Sequence, residues 1–263
     1  MKKYLVIGNP IEHSLSPKLH SYWIKKNNID AIYEKEKLDE NDLENLILKV
    51  KDKIIHGINV TVPFKKAVIP YMDKLTTESE NTQSVNTIYL ENDKIIGNNT
   101  DINGFELSIK RSKFDLFNKK VFILGAGGVV PSIIYALNKM KASKIFICNR
   151  TREKAENLKK LFNNLNIIEW GEIPNFDIII NATSLGLKEE DDMNLDFSSV
   201  GKNKFFYDVI YNPKETIFLK RAKLFGNRAE NGKMMFIYQA HQSFTIWHKL
   251  MPEINEEVIN LLD

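Results

Sequence analysis

Val121-Phe122-Ile123-Leu124-Gly125-Ala126-Gly127-Gly128, close to the middle of a 263-residue chain, decides the fold. Four consecutive apolar residues read as a buried strand, and a glycine-rich turn follows. From Val129 to Met140 the apolar residues then recur at helical spacing. Strand, glycine turn and helix in that order open a dinucleotide-binding unit. Glycine belongs in such a turn because a side chain would hold the backbone N–H groups away from a pyrophosphate. Val130 stands where the G-x-G-x-x-G form has its third glycine. The same residues therefore also fit a tight turn that merely closes a buried strand, and the flanking chain has to separate the two readings.

On both sides, strand-like and helix-like patterns alternate. Upstream, Tyr4 to Gly8, Ala31 to Lys37, Ile54 to Val60 and Val85 to Leu90 read as strands, and Glu91-Asn92-Asp93 as a hairpin turn into Ile95-Ile96-Gly97. Helices are expected from Pro17 to about Asn27 and around Leu43, Leu46, Ile47 and Val50. Downstream, strands at 121–124, 144–149, 166–169, 176–181 and 204–210 enclose helices at 128–140 and 152–163. Glu189 to Ser199 reads as an acidic, mobile surface loop. A last long helix places Phe236, Ala240, Phe244 and Trp247 on one face. Such alternation predicts an α/β fold with mostly parallel sheets.

The bulk composition excludes several classes. With 43% apolar and 27% charged residues and a net charge of +3, the chain has no basic concentration suited to nucleic acid. No apolar run approaches membrane-spanning length, and the amino terminus opens directly on a strand pattern, so a cytoplasmic protein without membrane contact is expected. The sole cysteine, Cys148, ends an apolar run and reads as a buried thiol, which excludes a disulfide framework. The five histidines lack metal-ligand spacing, and no metal is expected.

Two places carry chemistry. About 20 residues beyond the glycines, where NAD-binding units place an acidic residue on the ribose 2′-hydroxyl, this chain has Asn149-Arg150-Thr151-Arg152. Two guanidiniums suit a 2′-phosphate, and the missing carboxylate removes its repulsion, so NADP is favoured. The plain alternative is two solvated arginines with Thr151 capping the next helix. Upstream, Asn59-Val60-Thr61-Val62-Pro63-Phe64-Lys65 ends a strand, and Asp101 lies between a strand end and a helix start. Strand carboxyl ends are where open α/β sheets bind ligands. Lys65 could equally be one more surface charge and Asp101 a helix cap. Brought together, they could exchange a proton with a substrate hydroxyl.

These residues resemble the shikimate dehydrogenase family along nearly the whole chain. Gly8-Asn9-Pro10 through Ser14-Leu15-Ser16-Pro17 and His20 is similar to its substrate loop, and the Asn59 to Lys65 block to the one carrying its catalytic lysine. Val85-Asn86-Thr87, Asn99-Thr100-Asp101, Asn149-Arg150-Thr151, Asn181 to Gly186, Asp208 to Pro213, Gly232 and Gln239-Ala240 match further blocks in the same order. The resemblance implies a substrate domain over 1–103 completed by 234–263, and a Rossmann-like NADP domain over 104–233. It also implies that the two face a cleft and that the C-terminal helices return to the substrate domain.

As site residues the resemblance implies Lys65 and Asp101 for proton transfer. Ser14, Ser16, Thr61, Lys65, Asn86, Asp101, Tyr211 and Gln239 would hold the substrate. Gly125, Ala126, Gly127, Gly128, Val129, Asn149, Arg150, Thr151, Arg152, Glu153, Lys154, Val209 and Gly232 would hold NADP. The implied activity is reversible reduction of 3-dehydroshikimate to shikimate in aromatic amino-acid biosynthesis, by a monomer or homodimer. Rival readings are a quinate/shikimate dehydrogenase tolerant of NAD, a folate-linked dehydrogenase, or a non-catalytic binder of cofactor and metabolite. The chain departs from the family pattern at Ser21, at Gln83-Ser84, where Gly-Ala is usual, at Val130-Pro131, and at His248-Lys249, which lacks a glycine often found after the C-terminal tryptophan.

Overall fold

The computed structural model of the protein describes residues 1–188 and 190–263. Glu189, the first residue of the expected acidic loop, lies outside the described residues. The chain divides into two compact units, Met1–Gly104 with Ile237–Asp263, and Phe105–Phe236.

The first unit holds β1 (Lys2–Gly8), α1 (Ser16–Lys26), β2 (Ala31–Lys37), α2 (Leu43–Lys51), β3 (Gly57–Val60), β4 (Lys74–Leu75), α3 (Thr77–Thr82), β5 (Thr87–Glu91) and β6 (Lys94–Asn98). Its sheet order is β2-β1-β3-β5-β6-β4, with β5 alone antiparallel to its neighbours. Central β1 is covered on both faces, so Tyr4-Leu5-Val6-Ile7 can be a continuous apolar run, all at most 3% exposed. Edge strand β2 carries Glu34, Lys35, Glu36 and Lys37, charges that discourage pairing with another chain. Asn92 and Asp93 both take positive φ, the conformation a two-residue hairpin between β5 and β6 requires. On α2, Leu43, Leu46, Ile47 and Val50 are buried against Leu5, Ile58 and Ile88, as their spacing predicts.

Two helices carry the chain across the boundary between the units, α4 (Asp101–Arg111) and, after the elements below, α8 (Lys233–His248). The second unit holds β7 (Lys120–Leu124), α5 (Val130–Lys139), β8 (Lys144–Cys148), α6 (Arg152–Leu161), β9 (Leu165–Ile167), β10 (Ile178–Asn181), β11 (Phe205–Asp208), α7 (Ile217–Leu224) and β12 (Arg228–Glu230). All six strands are parallel in the order β12-β11-β10-β7-β8-β9. Counted within the unit this is 3-2-1-4-5-6 read from the other edge, the doubly wound order whose direction reverses between β7 and β10. Val121 to Leu124 and Ile178 to Ile180 are fully buried, as strands covered on both faces must be.

The carboxyl-terminal segment, closed by α9 (Glu256–Asn260), belongs to the first unit. Trp247 of α8 lies against Gly57, where a Cβ would come within 2.3 Å of its indole nitrogen, and that nitrogen donates to the Ile88 carbonyl at 3.2 Å. The Trp23 indole of α1 donates to the Glu253 carbonyl at 3.2 Å. Only Ala240, Phe244 and Trp247 of the expected helix face serve this core, because Phe236 lies in the other unit and stacks on Tyr211 at 4.5 Å.

Within the stretch expected to be a mobile loop, residues 192–197 are anchored instead. Met193, Leu195 and Phe197 are buried, Phe197 against Phe206 and Phe218, and Arg221 grips both oxygens of Asp192 at 2.7 and 2.6 Å. The acidic residues of that stretch hid an alternating apolar triplet.

Candidate active site

Parallel β1, β3 and β6 finish at one edge of the first sheet, and antiparallel β5 starts there. Four segments therefore converge: 9–15, 61–65, 85–86 and 98–101. The first two touch, since the Asn9 N–H donates to the Val62 carbonyl at 3.0 Å and Gly8 leaves no room for a Cβ beside Thr61. The 61–65 segment is tied to the third by the Val85 N–H, which donates to the Lys65 carbonyl at 2.8 Å.

At this edge Lys65 Nζ donates to Asp101 Oδ2 at 2.5 Å, and both side chains are buried. A buried ammonium needs such a partner, because desolvation would otherwise cost several kcal/mol. Asp101 begins α4, and its own N–H is taken by Asn99 Oδ1 at 3.1 Å. Its second oxygen accepts from Asn86 Nδ2 at 2.9 Å. The Asn86 amide also donates to Thr100 Oγ1 at 3.0 Å and accepts from the Thr100 N–H at 2.8 Å. Both amide hydrogens of Asn86 are thus committed within the protein. The result is an ammonium and a carboxylate held in fixed register, with little water around them, able to give or take one proton at a bound hydroxyl or carbonyl.

Ser14 and Thr61 belong to segments that converge on this edge, and Ser16 begins α1 directly after the first of them. The Ser16 N–H donates to Ser14 Oγ at 3.3 Å, Ser16 is buried, and Thr61 turns its methyl to Gly8. Gln239 lies one turn before Gln242 and Ser243 on α8. Those two reach Asn103 at 3.2 Å and Asn59 at 3.5 Å, which directs this helix face to the same edge. His20 is a correction. It is fully buried in the aromatic core, stacked on Tyr33 at 4.1 Å with neither ring nitrogen hydrogen-bonded, and burial pushes its pKa down to about 3. A neutral core imidazole has no place in the substrate loop.

In the second unit, the glycine turn separates two demands on glycine. Gly125 has φ +105, and a Cβ there would meet the Ala182 carbonyl oxygen at 2.8 Å, so the fold itself excludes a side chain. Gly127 has only that oxygen nearby, at 3.8 Å, which leaves room for a methyl group. The packing of the fold does not require glycine there. Beyond the turn, α5 begins without a side-chain cap, with Pro131 in its first turn, and presents its positive end to the turn, Gly128 and Val129 included. Asn149 fastens the turn to the segment after β8: its Oδ1 accepts from the Ala126 N–H at 3.1 Å, and its amide donates to the Thr151 carbonyl at 2.8 Å.

The two arginines differ. Arg150 is exposed and has no ion-pair partner among the described residues. Arg152 is engaged by Glu156 at 3.0 Å and by Glu169 after β9. The expectation of two equivalent arginines therefore has to be divided. Thr151 precedes α6 but makes no side-chain cap bond, so capping does not explain it, and Glu153 and Lys154 are exposed on the first turn. A dinucleotide phosphate fits this unit: open backbone at Gly127, an uncapped helix start and a free cation at Arg150.

Asp208, at the end of β11, anchors the next segment, a role that its place in a sequence motif does not reveal. It is fully buried, and accepts from Asn181 Nδ2 at 3.0 Å, the Ile210 N–H at 3.0 Å and Thr216 Oγ1 at 2.6 Å. Burial raises its pKa to about 6 despite these donors. Val209 and Tyr211 follow it. Gly232 packs so closely on Val209 that a Cβ would lie 2.2 Å from the Val209 carbonyl oxygen.

A family model described as the shikimate dehydrogenase substrate binding domain matches residues 6–88, and one described as shikimate / quinate 5-dehydrogenase matches residues 108–209. A relative from Pelagibacter ubique named shikimate dehydrogenase (NADP(+)) is 60% identical over 262 residues, spanning 100% of this chain and 99% of its own. The crystal structure of shikimate dehydrogenase from Aquifex aeolicus superposes with a TM-score of 0.91 at 35% identity, covering 100% of this chain and 97% of that one. Shikimate 5-dehydrogenase from Thermus thermophilus, solved in complex with NADP(H) and shikimate, gives 0.90 at 26% identity, covering 100% and 98%.

Proposed function

The chain belongs to the shikimate dehydrogenase family, and from that premise we infer the reaction and the part each residue plays in it. It is an NADP-dependent oxidoreductase that reversibly reduces 3-dehydroshikimate to shikimate in aromatic amino-acid biosynthesis. When bound, the nicotinamide cofactor supplies or accepts the hydride.

The buried Lys65–Asp101 pair carries the assignment of the chemistry. In the reductive direction the ring carbonyl becomes an alkoxide as hydride arrives, and the Lys65 ammonium donates the proton that makes it a hydroxyl. In the oxidative direction the amine takes that proton back. Asp101 keeps the lysine side chain aimed at the reacting oxygen and balances its charge. Ser14 and Ser16 hold the substrate carboxylate, and Thr61, Tyr211 and Gln239 hold the ring and its hydroxyls; Asn86, expected beside them, has its amide bonded within the protein and serves the site by holding Asp101. Gly125 to Val129 receive the pyrophosphate and Asn149 to Lys154 the adenosine phosphate, led by Arg150. Val209 and Gly232 form a wall for the nicotinamide. Residues 1–103 with 234–263 serve as the substrate domain and 104–233 as the NADP domain. A monomer or homodimer in the cytoplasm completes the proposal, and light scattering of the purified protein reports the oligomer.

The deciding experiment follows NADPH formation by absorbance with shikimate and quinate offered separately, and repeats it with NAD. Turnover with shikimate and NADP is expected to dominate. A preference for quinate or for NAD overturns the assignment.

A further inference from the structure

Behind the Lys65–Asp101 pair runs a file of buried polar side chains whose hydrogen bonds all point one way. Lys65 can only donate and ionised Asp101 can only accept, which fixes the near end. The Asn86 amide nitrogen must therefore face Asp101 Oδ1, at 2.9 Å, and its oxygen must face the Thr100 N–H, at 2.8 Å. That oxygen also accepts from Thr87 Oγ1 at 3.0 Å. Once the Thr87 hydroxyl has given its proton to Asn86, its oxygen accepts from Asn59 Nδ2 at 3.2 Å. The same Asn59 amide group donates to the Asn86 carbonyl at 3.2 Å, an acceptor that fixes its orientation. Asn59 Oδ1 is then left to accept, and the Tyr33 hydroxyl donates to it at 2.7 Å. Tyr33, Asn59, Thr87, Asn86 and Asp101 are all at most 6% exposed, so water does not substitute for a missing link.

We propose that Tyr33, Asn59 and Thr87 are positioning residues of this reaction, acting through Asn86 to keep one Asp101 oxygen turned to Lys65. The proposal rests on the reading of Lys65 and Asp101 as the proton-handling pair. Its physical basis is that an amide is symmetric in shape but not in hydrogen bonding. If Asn86 turns over, it sets a carbonyl oxygen against the Asp101 carboxylate, and the carboxylate swings away from the lysine. The Thr87 hydroxyl and, beyond it, the Tyr33 phenol select the productive orientation, and a linked chain of bonds holds it better than any single bond would. All three are buried and none is among the expected substrate- or cofactor-binding residues, so substitution is expected to fall on turnover rather than on cofactor affinity.

Thr87→Val removes the hydroxyl at nearly constant shape, Thr87→Ser retains it, and Tyr33→Phe removes only the distal donor. For each, in the full-length protein with shikimate and NADP, kcat, both KM values and the thermal midpoint are measured, with Lys65→Ala alongside. Thr87→Val and Tyr33→Phe are expected to lower kcat by roughly 5- to 20-fold while KM for NADP stays within about twofold, and Thr87→Ser to stay within about twofold of the parent. Parental kcat in Thr87→Val with only a lowered thermal midpoint overturns the proposal, as does a Thr87→Ser variant equally impaired. If Thr87→Val does not fold, Tyr33→Phe decides by the same criterion. Parental turnover in Lys65→Ala would instead sink the underlying assignment of the pair.

Discussion

Gly125 and Gly127 stand two residues apart in one turn but are glycine for different reasons, and substitution separates them. Alanine at 125 would have to hold φ +105 and push a Cβ to 2.8 Å from the Ala182 carbonyl oxygen, so Gly125→Ala is expected to cost about 2 kcal/mol or more of stability. Gly127→Ala meets nothing closer than 3.8 Å, so its urea midpoint should match the parent while its KM for NADP rises by about tenfold or more. Parental KM in Gly127→Ala would remove the turn from the cofactor site. The arginines behave similarly. Arg150 has its charge free for a 2′-phosphate, whereas Arg152 must first leave Glu156 and Glu169. Arg150→Ala is therefore expected to erode the NADP-over-NAD ratio of kcat/KM by about tenfold and Arg152→Ala by about threefold or less. Equal losses would restore two equivalent arginines. At the other site Lys65→Ala should lower kcat by about 100-fold or more with a far smaller change in substrate affinity.

At the scale of elements, two departures from the family pattern acquire a physical meaning. Gln83 closes α3 at φ +48, and Lys249 follows α8 at φ +54. These are helix ends in the left-handed region, where a Cβ crowds the backbone and glycine does not. Gln83→Gly and Lys249→Gly are each expected to stabilise the protein by about 0.5–1 kcal/mol, read as a shifted urea midpoint with kcat unchanged. A lower midpoint in both would mean that the side-chain interactions lost, Gln83 Nε2 bonding to the Glu80 carbonyl and Lys249 Nζ beside Glu91 at 4.0 Å, outweigh the strain. The elements legible in the sequence were those long enough to show a period, such as β1, β7, α2 and α5. β4 and β12, of two and three residues, are stabilised only by a neighbouring strand and leave no local pattern. The site divides likewise. Lys65, Asp101 and the glycine turn stood out because each lies just beyond a strand end or at a helix start and carries a residue of the right chemistry. Tyr33 and Glu169 did not, because only the fold brings them to Asn59 and Arg152, 26 and 17 residues away.

For the molecule as a whole, buried titratable groups set how stability follows pH. His20 is buried and His248 half-buried in the aromatic cluster of the first unit, beside Tyr33, Tyr4, Phe244 and Trp247. Burial, assisted by His248 for His20 and by Lys2 for His248, lowers their pKa values to about 3 and about 4. In the unfolded chain both would titrate near about 6.5. Below that pH the unfolded chain binds protons that the folded one refuses, so each histidine removes up to about 1.4 kcal/mol of stability per unit of falling pH. Asp208 works in the opposite sense. Its folded pKa of about 6 exceeds the unfolded value, so between roughly 6 and 4 the folded protein gains a proton and some stability as pH falls. Two histidines against one carboxyl leave a net loss. The urea midpoint, read from Trp23 and Trp247 fluorescence in a Trp170→Phe background, should therefore fall steadily from pH 6.5 to pH 4. His20→Phe keeps a ring stacked on Tyr33 and removes one titrating group, so the same plot should be shallower. Equal slopes in parent and variant would mean that the acid sensitivity arises elsewhere, and that the unpaired imidazole behind Tyr33 takes up its proton without opening the core.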